Sequence, residues 1–487
     1  MAAGYRNRPS QSAAAAARGA FAYPLAEMDE AWKGVLLNQF HDIIPGSSIH
    51  RVYEEAEALY AEVIATAQAT AGAAAKALLR EEAGALTVFN SLSWERTALV
   101  PLPAGFTARG ITTQQVGETM YAEAQLPACG WVTLAGAQTA PAVNTLAAAP
   151  GYLENECLKL TLNDRGEIAG LLDKESGREL AAAPLNSLRM YRDIPNSFDA
   201  WDIDSPYKLQ PVDLPEPAKI EVLAAGPLAA VLRVTRAIHD STVEQEIWLR
   251  RDSRRVEFRT RVDWRERHKL LKVNFPTALH ANEAIHEIQF GHLTRPNHAS
   301  RPFDADRFEV ANQKWTALAE ANRGAAVLND CKYGVNVEGG SINLTLLRSP
   351  LAPDMTADQG VQEFTYAFYA WNGPLFDSGV VREAYDLNVP ATAIAGLAGE
   401  GWLFHLDAAN VVIETVKPAE DGSGDLIVRL YECLRAATRC TLSTALPAKR
   451  VLAVNMLEEG DAAVAFQHGE MTLDFRPFEI KTLRLVM

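Results

Sequence analysis

The chain has 487 residues, of which 48% are hydrophobic and 22% charged, a balance typical of globular domains. Its length predicts several domains, because a single core rarely grows beyond about 250–300 residues. The 61 acidic residues outnumber the 46 basic ones, and the resulting net charge of −15 argues against nucleic acid as a partner. We also expect no membrane span, since no run of about 18 apolar residues occurs.

The cysteines predict a reducing compartment. The five of them are scattered along the chain without a CxxC pair, as expected for buried thiols: Cys129, Cys157, Cys331, Cys433 and Cys440. The alanine run near the start is too weakly hydrophobic for the core of a signal peptide. We therefore expect a cytoplasmic protein.

Two helices are predicted near the start of the chain. From Leu25 to Ile44 the apolar residues recur at the spacing of one helix face. Pro45 and Gly46 should end this helix, and Ser47 or Ser48 should cap a second one that continues to about residue 82. Two helices form only a partial bundle, so their apolar faces need something to cover them.

From Gly84 onward the pattern changes to short strands separated by Pro and Gly. The clearest strand is Val256–Trp264, in which apolar residues alternate with charged ones, and it should pair with Val243–Leu249. Runs of strands without intervening helices indicate antiparallel sandwiches. The other predicted strands are Leu86–Asn90, Ala98–Leu102, Trp131–Leu134, the hairpin around Asn163–Gly166, Ser341–Leu347, Phe364–Trp371, Asn410–Val416 and Leu426–Glu432.

We predict a mainly β fold with an N-terminal helical segment. Residues 1–83 should form the partial helical bundle and residues 84–150 a small β-sandwich. Residues 151–395 should form a large sandwich and residues 396–487 a C-terminal one. The stretch 135–150, rich in Ala, Thr and Pro, is predicted to be a linker.

The string LLNQFHDIIPGSSI, residues 36–49, places adjacent His41 and Asp42 next to a break in the chain. Imidazole is a good zinc ligand, and a neighbouring carboxylate can bind sugar hydroxyls or orient the ring. An isolated His-Asp pair is more commonly a helix cap beside a solvated carboxylate. The pair alone therefore indicates no site.

The whole string closely resembles the segment that ends the catalytic region of family 38 α-mannosidases. Further family-like strings follow in the same order: FNSLSW (89–94), LENE (153–156), LDKESG (172–177), DAWDID (199–204), LNDCKYG (328–334), LRSP (347–350), DQG (358–360) and VRLYE (428–432). Together they extend from about residue 25 to the C-terminus. The chain is therefore identified as a member of glycoside hydrolase family 38, and the resemblance implies a galactose-mutarotase-like supersandwich for the large domain.

The resemblance also implies a reaction, a cofactor and roles for individual residues. Family members hydrolyse terminal α-mannosides with retention in oligosaccharide catabolism, using a nucleophilic carboxylate and a general acid. They hold a divalent metal, usually zinc, with two histidines and two aspartates. By match, His41 is the last metal ligand, and Asp42 contacts the sugar or the metal shell. Arg348 matches a position whose side chain reaches toward the sugar.

One part of the family pattern is not found. The N-terminal barrel, with the nucleophile, the general acid and a His-x-Asp metal pair, has no counterpart before Leu25. We therefore expect no catalytic residue in this chain, an incomplete zinc site and no turnover by the chain alone. The expected partners are mannose-containing oligosaccharides and either a separate barrel chain or a second copy of this chain.

A non-catalytic carbohydrate-binding or scaffolding module is the alternative function. Aromatic rings could stack on sugar faces, although most tryptophans are expected to be core or rim residues of the sandwiches. The candidates are Trp201, Trp264, Trp315, Trp371 and Trp402.

Histidines of the large domain allow two further interpretations. A mutarotase-like epimerase would need a His and an acid on one sheet face, for which His286, His292 and Glu283 are candidates. His286 and His292 are expected on the same strand face, where they could bind a metal together with His298. Histidines at the surface or rim of the sandwich are the simpler interpretation.

Overall fold

The computed structural model describes residues 21–106, 111–134 and 144–487. Its N-terminal part is an antiparallel helical hairpin, in which α1 spans Leu25–Leu37 and α2 spans His50–Ala77. The helices approach closely at Gly34, where an added Cβ atom would lie 3.1 Å from the Val63 side chain. Glycine at this position therefore sets the distance between the two helices.

The first helix ends earlier than predicted. Asn38 is buried, and its side-chain amide donates to the Ala56 carbonyl at 3.3 Å, so the chain turns away from helical geometry there. Residues 38–49 consequently form turns, which we call the HD turn. The predicted serine cap is also wrong. Ile49 precedes α2 without a side-chain cap, because the Ser47 and Ser48 hydroxyls donate to Asp42 instead.

Strands begin after α2, which ends at Ala77 rather than near residue 82. The first group comprises β1 (Leu86–Asn90), β2 (Arg96–Pro101), β3 (Thr113–Val116), β4 (Thr119–Leu126) and β5 (Gly130–Leu134). The second group, up to the middle of the large sandwich, comprises β6 (Ala147–Ala149), β7 (Tyr152–Glu154), β8 (Leu158–Leu162), β9 (Ile168–Asp173), β10 (Arg178–Glu179), β11 (Ser187–Arg192), β12 (Pro211–Val212), β13 (Lys219–Ala225), β14 (Ala229–Ile238), β15 (Ser241–Arg250) and β16 (Arg255–Trp264).

The large sandwich continues with a third group of strands and ends at a short helix. These strands are β17 (Lys269–Pro276), β18 (Glu283–Ile288), β19 (Gly291–Pro296), β20 (Val310–Ala311), β21 (Trp315–Ala319), β22 (Arg323–Asn329), β23 (Gly334–Glu338), β24 (Ser341–Arg348) and β25 (Gly360–Asn372). Helix α3 spans Val380–Asn388, and 3-10 turns occur at Ser205–Leu209, Pro302–Arg307 and Leu375–Asp377.

The last group of strands follows α3. It comprises β26 (Thr392–Ala395), β27 (Glu400–Trp402), β28 (Phe404–Leu406), β29 (Val411–Pro418), β30 (Leu426–Glu432), β31 (Thr438–Thr444), β32 (Arg450–Val454), β33 (Ala462–Val464), β34 (Glu470–Phe475) and β35 (Ile480–Val486).

The small sandwich is built from two distant parts of the chain. Its sheets have the strand orders β26-β1-β5-β27 and β2-β4-β3, and Leu86, Val88, Val100 and Leu126 pack between them. β26 and β27 therefore reach it from beyond the large sandwich. Of the predicted linker, residues 135–143 lie outside the described residues, whereas Ala147–Ala149 is a strand and not part of a linker.

The large sandwich contains three sheets, and the mainly β prediction is confirmed. Their strand orders are β13-β14-β15-β16-β25-β22-β21-β18-β19, β12-β11-β17-β24-β23-β20 and β10-β9-β8-β7-β6, with antiparallel pairing. The predicted pairing of Val256–Trp264 with Val243–Leu249 is observed between β16 and β15. Phe258, Trp264 and Phe275 are fully buried in its core.

The C-terminal sandwich packs the sheet β28-β31-β34 against the sheet β29-β30-β35-β32-β33. Phe404, Val428 and Leu442 are buried between them. The predicted hairpin of β29 and β30 is observed, with its loop between Pro418 and Leu426. The domain boundaries themselves stay predictions.

Charged residues of β15 and β16 join the large sandwich to the small one and to α3. We call Arg250, Arg255, Glu257 and Arg259 the arginine seam. Arg250 donates to the Thr97 carbonyl of β2 at 2.8 Å, and Arg255 pairs with Glu383 of α3 at 2.8 Å. Glu257 accepts from Arg259 at 2.8 Å and lies 3.4 Å from Arg255. The Glu257 carboxylate thus lies between Arg255 and Arg259, and Glu383 of α3 also pairs with Arg255.

None of the five cysteines, all of which lie in the described ranges, forms a disulfide. No described helix is both long and apolar enough to cross a membrane.

Candidate functional site

The HD turn places Asp42 at the centre of a hydrogen-bonded network. The Asp42 carboxylate accepts from the Ser47 hydroxyl at 3.0 Å, and its other oxygen lies 3.3 Å from His41 Nε2. The Asp42 backbone carbonyl accepts from Ser48 and from the Tyr53 hydroxyl at 2.9 and 3.2 Å. This network fixes the turn against α2. The His41 imidazole remains 79% exposed, so it is open to an external ligand.

A long-range hydrogen bond connects Asp42 with the large sandwich. Trp201 Nε1 donates to the Asp42 carboxylate at 3.2 Å, although the two residues are 159 positions apart. Trp201 lies in the segment 193–204, which follows β11 and which we call the tryptophan loop. Its indole is half-exposed, as expected for a ring at the edge of a binding surface.

Arg348 holds the tryptophan loop in place. Its guanidinium forms an ion pair with the buried Asp193 and donates to the carbonyls of Asp199 and Ala200 at 2.6 and 3.1 Å, and also to that of Asp202. Asp42 and Arg348 are therefore connected through Trp201 and not by direct contact. The Arg348 side chain is 15% exposed, and its described hydrogen bonds and ion pair are all with the tryptophan loop, including Asp193.

The Asp199 carboxylate also holds the tryptophan loop in place. The Asp199 carboxylate accepts from the Leu351 and Ala352 amides at 2.7 and 3.1 Å and lies 3.1 Å from His268 Nε2. Partial burial opposes ionisation, but these donors outweigh it and lower the pKa of Asp199 below its ordinary value. Burial has the opposite result at Asp193, where it raises the pKa despite the ion pair with Arg348.

The N-terminus of α2 is also attached to the large sandwich. His50 Nδ1 lies 3.2 Å from the buried Asp354 carboxylate and 3.2 Å from the Thr356 hydroxyl. The HD turn thus lies between two contacts with the large sandwich, one through Trp201 and one through His50. The spacing of the HD turn, the tryptophan loop and residues 349–359 is fixed by these contacts.

An apolar surface surrounds the HD turn. Several of its large side chains are more than half exposed: Leu36, Leu37, Phe40, Ile44 and Ile49. Trp32 of α1 is 50% exposed on the same helical hairpin. The expectation that the apolar faces of the two helices need a cover agrees with this exposure.

The residues at the HD turn are too few to hold zinc by themselves. Within residues 21–106, 111–134 and 144–487, three or more metal-ligating groups gather at His239, Asp240 and Glu266 and not at His41. His41 and Asp42 supply one imidazole and one carboxylate, whereas a zinc site takes three or four protein ligands. His41 and Asp42 therefore need further ligands before they can hold a zinc ion.

The predicted tryptophans separate into core and surface residues. Trp264, Trp315 and Trp371 are buried, so they support the sandwich, while Trp201 and Trp402 are exposed. Only Trp201 among these five is described in contact with the HD turn.

The expectation that His286 and His292 share a face is wrong. A tight turn at residues 289–290 separates them, and the register pairs His286 with Leu293 but His292 with Glu287. Paired residues lie on the same face, so the two imidazoles point to opposite faces. His286 contacts the Thr316 hydroxyl at 3.0 Å, and His292 donates to the Cys433 carbonyl at 3.2 Å. Neither they nor the exposed His298 form a metal cluster in the described structure.

His286 should make the stability of the protein depend on pH. Burial, with a smaller contribution from Arg295, lowers the pKa of His286 to about 3, so the imidazole stays neutral in the folded state. The unfolded chain protonates it near pH 6.5. Its contribution to stability is therefore complete above pH 6.5 and is lost as the pH falls toward 3, by up to about 1.4 kcal/mol per pH unit.

Chemical denaturation between pH 4 and 7 measures this effect. We expect His286→Gln to flatten the pH dependence of the unfolding free energy, while the exposed His405→Gln leaves it unchanged. If the unfolding free energies of the wild type and His286→Gln depended equally on pH, the His286 imidazole could not be neutral and buried in the folded state.

Several residues that hold this region in place were not predicted from the sequence. Asp193, His268 and Asp354 were not singled out, although each holds a loop of the site. Asp199 and Trp201 belong to the string DAWDID, which carried a usable signal. The contacts themselves join positions more than 60 residues apart, and periodicity within a strand or helix contains no information about them.

This combination of a helical hairpin, antiparallel sandwiches and a His-Asp turn is that of the middle and C-terminal domains of a glycoside hydrolase. The family model described as "Alpha mannosidase middle domain" matches residues 6–78. "Glycosyl hydrolases family 38 C-terminal domain" matches residues 153–356, and the corresponding "C-terminal beta sandwich domain" matches residues 410–483. The chain belongs to glycoside hydrolase family 38, the family of these α-mannosidases.

Curated relatives match nearly the whole chain. It is 35% identical over 493 aligned positions to "Alpha-mannosidase 2C1" of Homo sapiens, covering 98% of this chain and 47% of the relative. It is 30% identical over 528 positions to "Alpha-mannosidase G" of Dictyostelium discoideum, covering 94% and 48%. The chain thus spans about half the length of these relatives.

A solved structure is similar in fold. The crystal structure of an alpha-mannosidase from Enterococcus faecalis V583 superimposes with a TM-score of 0.81, covering 99% of this chain and 66% of that chain. The two sequences are 18% identical in this comparison, so the likeness concerns the fold alone.

Proposed function

We propose that this chain is the sandwich-bearing part of an α-mannosidase that hydrolyses terminal α-mannosides with retention in oligosaccharide catabolism. The observation that carries this proposal is the hydrogen bond between Trp201 and Asp42, which joins the HD turn to the loop held by Arg348. Three parts of the chain that resemble family strings are thereby brought to one place. Family membership and the names of the curated relatives support the substrate class.

We assign different roles to the three predicted site residues. The exposed His41 is one ligand of a shared zinc ion, and Asp42 contacts the ion or a mannose hydroxyl. Arg348 acts as a positioning residue, because it holds the carbonyls of the tryptophan loop and presents Trp201 at the edge of the site. Trp201 can pack its exposed indole against the apolar face of a sugar.

The catalytic carboxylates and the remaining metal ligands are proposed to come from a separate barrel chain or, less simply, from a second copy of this chain. The exposed apolar residues around the HD turn support a partner there, since large exposed apolar patches commonly mark interfaces. The partner would surround His41 and complete the zinc site. We infer a cytoplasmic location, in keeping with the unpaired cysteines.

An activity assay tests the proposal. The purified chain with zinc and an aryl α-mannoside should show no turnover above background, because a lone imidazole and its neighbouring acid cannot form a glycosyl-enzyme bond. Mixing it with the part of the human relative outside the matched region should give hydrolysis. His41→Ala should abolish that hydrolysis, while the exposed His405→Ala should not.

Two outcomes would contradict the proposal. Robust hydrolysis by the pure chain would refute its dependence on a partner, and hydrolysis unaffected by His41→Ala would refute the role of His41. The alternative, a non-catalytic carbohydrate-binding or scaffolding module, is favoured by the exposed Trp201. This alternative predicts that mannose oligomers quench the tryptophan fluorescence of the chain. It also predicts no hydrolysis when the chain is mixed with the remaining part of the human relative.

A further inference from the structure

A compact group of metal-ligating side chains lies at one end of the large sandwich. Ile238 of β14 pairs with Ser241 of β15, so His239 and Asp240 form a two-residue hairpin loop. His239 has a φ of 57°, a left-handed conformation that such loops usually assign to Asn or Gly. Glu266, two residues beyond β16, projects its carboxylate into this loop and is 1% exposed.

The distances between the three side chains suit a small divalent cation. His239 Nδ1 lies 2.8 Å from Glu266 Oε2 and 3.4 Å from Asp240 Oδ2, and the three ligand atoms lie within 4.8 Å of one another. Ligands bound to zinc at about 2.0–2.2 Å in a tetrahedron are about 3.4 Å apart. Small rotations of the exposed His239 and Asp240 side chains would bring all three to one ion.

The charge of the group favours a cation. Glu266 Oε1 accepts from the Asp240 amide and the Ser241 hydroxyl at 2.9 and 2.8 Å, which fixes the carboxylate with Oε2 directed toward His239. No lysine or arginine of the described ranges pairs with Glu266. A buried carboxylate without a cationic partner is costly, and a second carboxylate beside it increases the repulsion.

We propose that His239, Asp240 and Glu266 bind a divalent transition-metal ion, with zinc as the best match to one imidazole and two carboxylates. Water would complete the coordination, because His239 and Asp240 are exposed. This site is separate from the HD turn and does not depend on the proposed hydrolase activity. The competing arrangement is a metal-free hydrogen bond between His239 and Glu266.

The site would stabilise an end of the large sandwich. It would connect the β14–β15 loop to the segment that follows β16. Gln359 also donates to the Glu266 backbone carbonyl at 3.1 Å, so the site adjoins residues 349–359, whose amides hold Asp199. A structural ion here would therefore reinforce the loops that position Trp201.

Calorimetric titration of the metal-free full chain with zinc tests this site. The titration uses the His41→Ala background, so that the HD turn contributes no binding. We expect one ion per chain with a micromolar dissociation constant. His239→Asn should weaken binding at least tenfold, and asparagine tolerates the left-handed turn, so the hairpin should stay folded. The control is His468→Asn, which replaces another histidine at positive φ and should bind as the parent does.

Cobalt provides a second measurement, because its visible absorption reports the geometry of its ligands. Intense bands that disappear in His239→Asn would support coordination by His239. The absence of zinc binding in the His41→Ala parent, or equal affinity in His239→Asn, would overturn the proposal. Neither outcome involves mannoside hydrolysis, so the test is independent of the proposed function.

Discussion

Replacing Arg348 with methionine is expected to destabilise the protein by about 3–5 kcal/mol and to release the tryptophan loop. Methionine retains most of the aliphatic length but leaves the carboxylate of Asp193, which is 1% exposed, without its cationic partner. The carbonyls of Asp199 and Ala200 also lose their donors. Urea denaturation should show the loss of stability, and the fluorescence of Trp201 should shift to the red as its contact with Asp42 is lost.

Three comparisons make this experiment specific. Asp193→Asn in the Arg348→Met background should recover part of the stability, because it removes the buried unpaired charge. Arg439→Met removes an exposed ion pair and should cost less than about 1 kcal/mol. Trp201→Phe identifies the fluorescence change as that of Trp201. A loss below 1 kcal/mol in Arg348→Met, or an unchanged spectrum, would refute the positioning role.

Replacing Glu257 with glutamine should destabilise the arginine seam by about 3 kcal/mol at neutral pH. Burial disfavours the Glu257 carboxylate, but Arg259 and Arg255 outweigh it and lower its pKa to about 2. Glutamine has the same shape without the charge, so the guanidinium groups of Arg250, Arg255 and Arg259 would repel one another. Because the small sandwich and α3 attach here, the loss should appear in the unfolding of the whole assembly.

The pH dependence provides an independent measurement. The pKa of Glu257 is lower in the folded than in the unfolded state, so its contribution is present above about pH 4.5. It is lost as the pH falls toward 2. We expect the Glu257→Gln variant to lack this pH-dependent contribution to stability. Glu363→Gln on the neighbouring strand, which removes a 73% exposed carboxylate, serves as the matched control and should change stability by less than about 1 kcal/mol. Similar losses of stability in Glu257→Gln and Glu363→Gln would contradict the stabilising role of Glu257 in the arginine seam.

The strand prediction succeeded where one face of the strand is buried. In Val256–Trp264 the alternation of apolar and charged residues is produced by burial of one face in the core, and period two is therefore visible locally. The same pattern assigned Glu257 and Arg259 to the other face. It could not show that this face is covered by the small sandwich, because that depends on residues more than 100 positions away.

The candidate site was predicted only in part. The string around His41 and Asp42 located the turn, but the helix was extended too far, because Asn38 bonds Ala56 instead of continuing the helix. The reach of Arg348 toward the sugar stays a prediction, and its described donors contact the tryptophan loop, including Asp193. The hydrogen-bond partners of side chains such as Asn38 and Arg348 depend on which segments lie nearby in the fold. Neither composition nor periodicity specifies those segments.

The strand order of the small sandwich has a consequence for how the chain folds during synthesis. β1 lies between β5 and β26, so residues 86–90 find one of their two neighbours about 300 positions later. The ribosome must therefore complete the entire large sandwich before the small one can close. Until then one edge of β1 exposes unpaired amides and carbonyls, which are a template for aggregation. A nascent chain that stalls before residue 392 should thus require a chaperone to shield this edge.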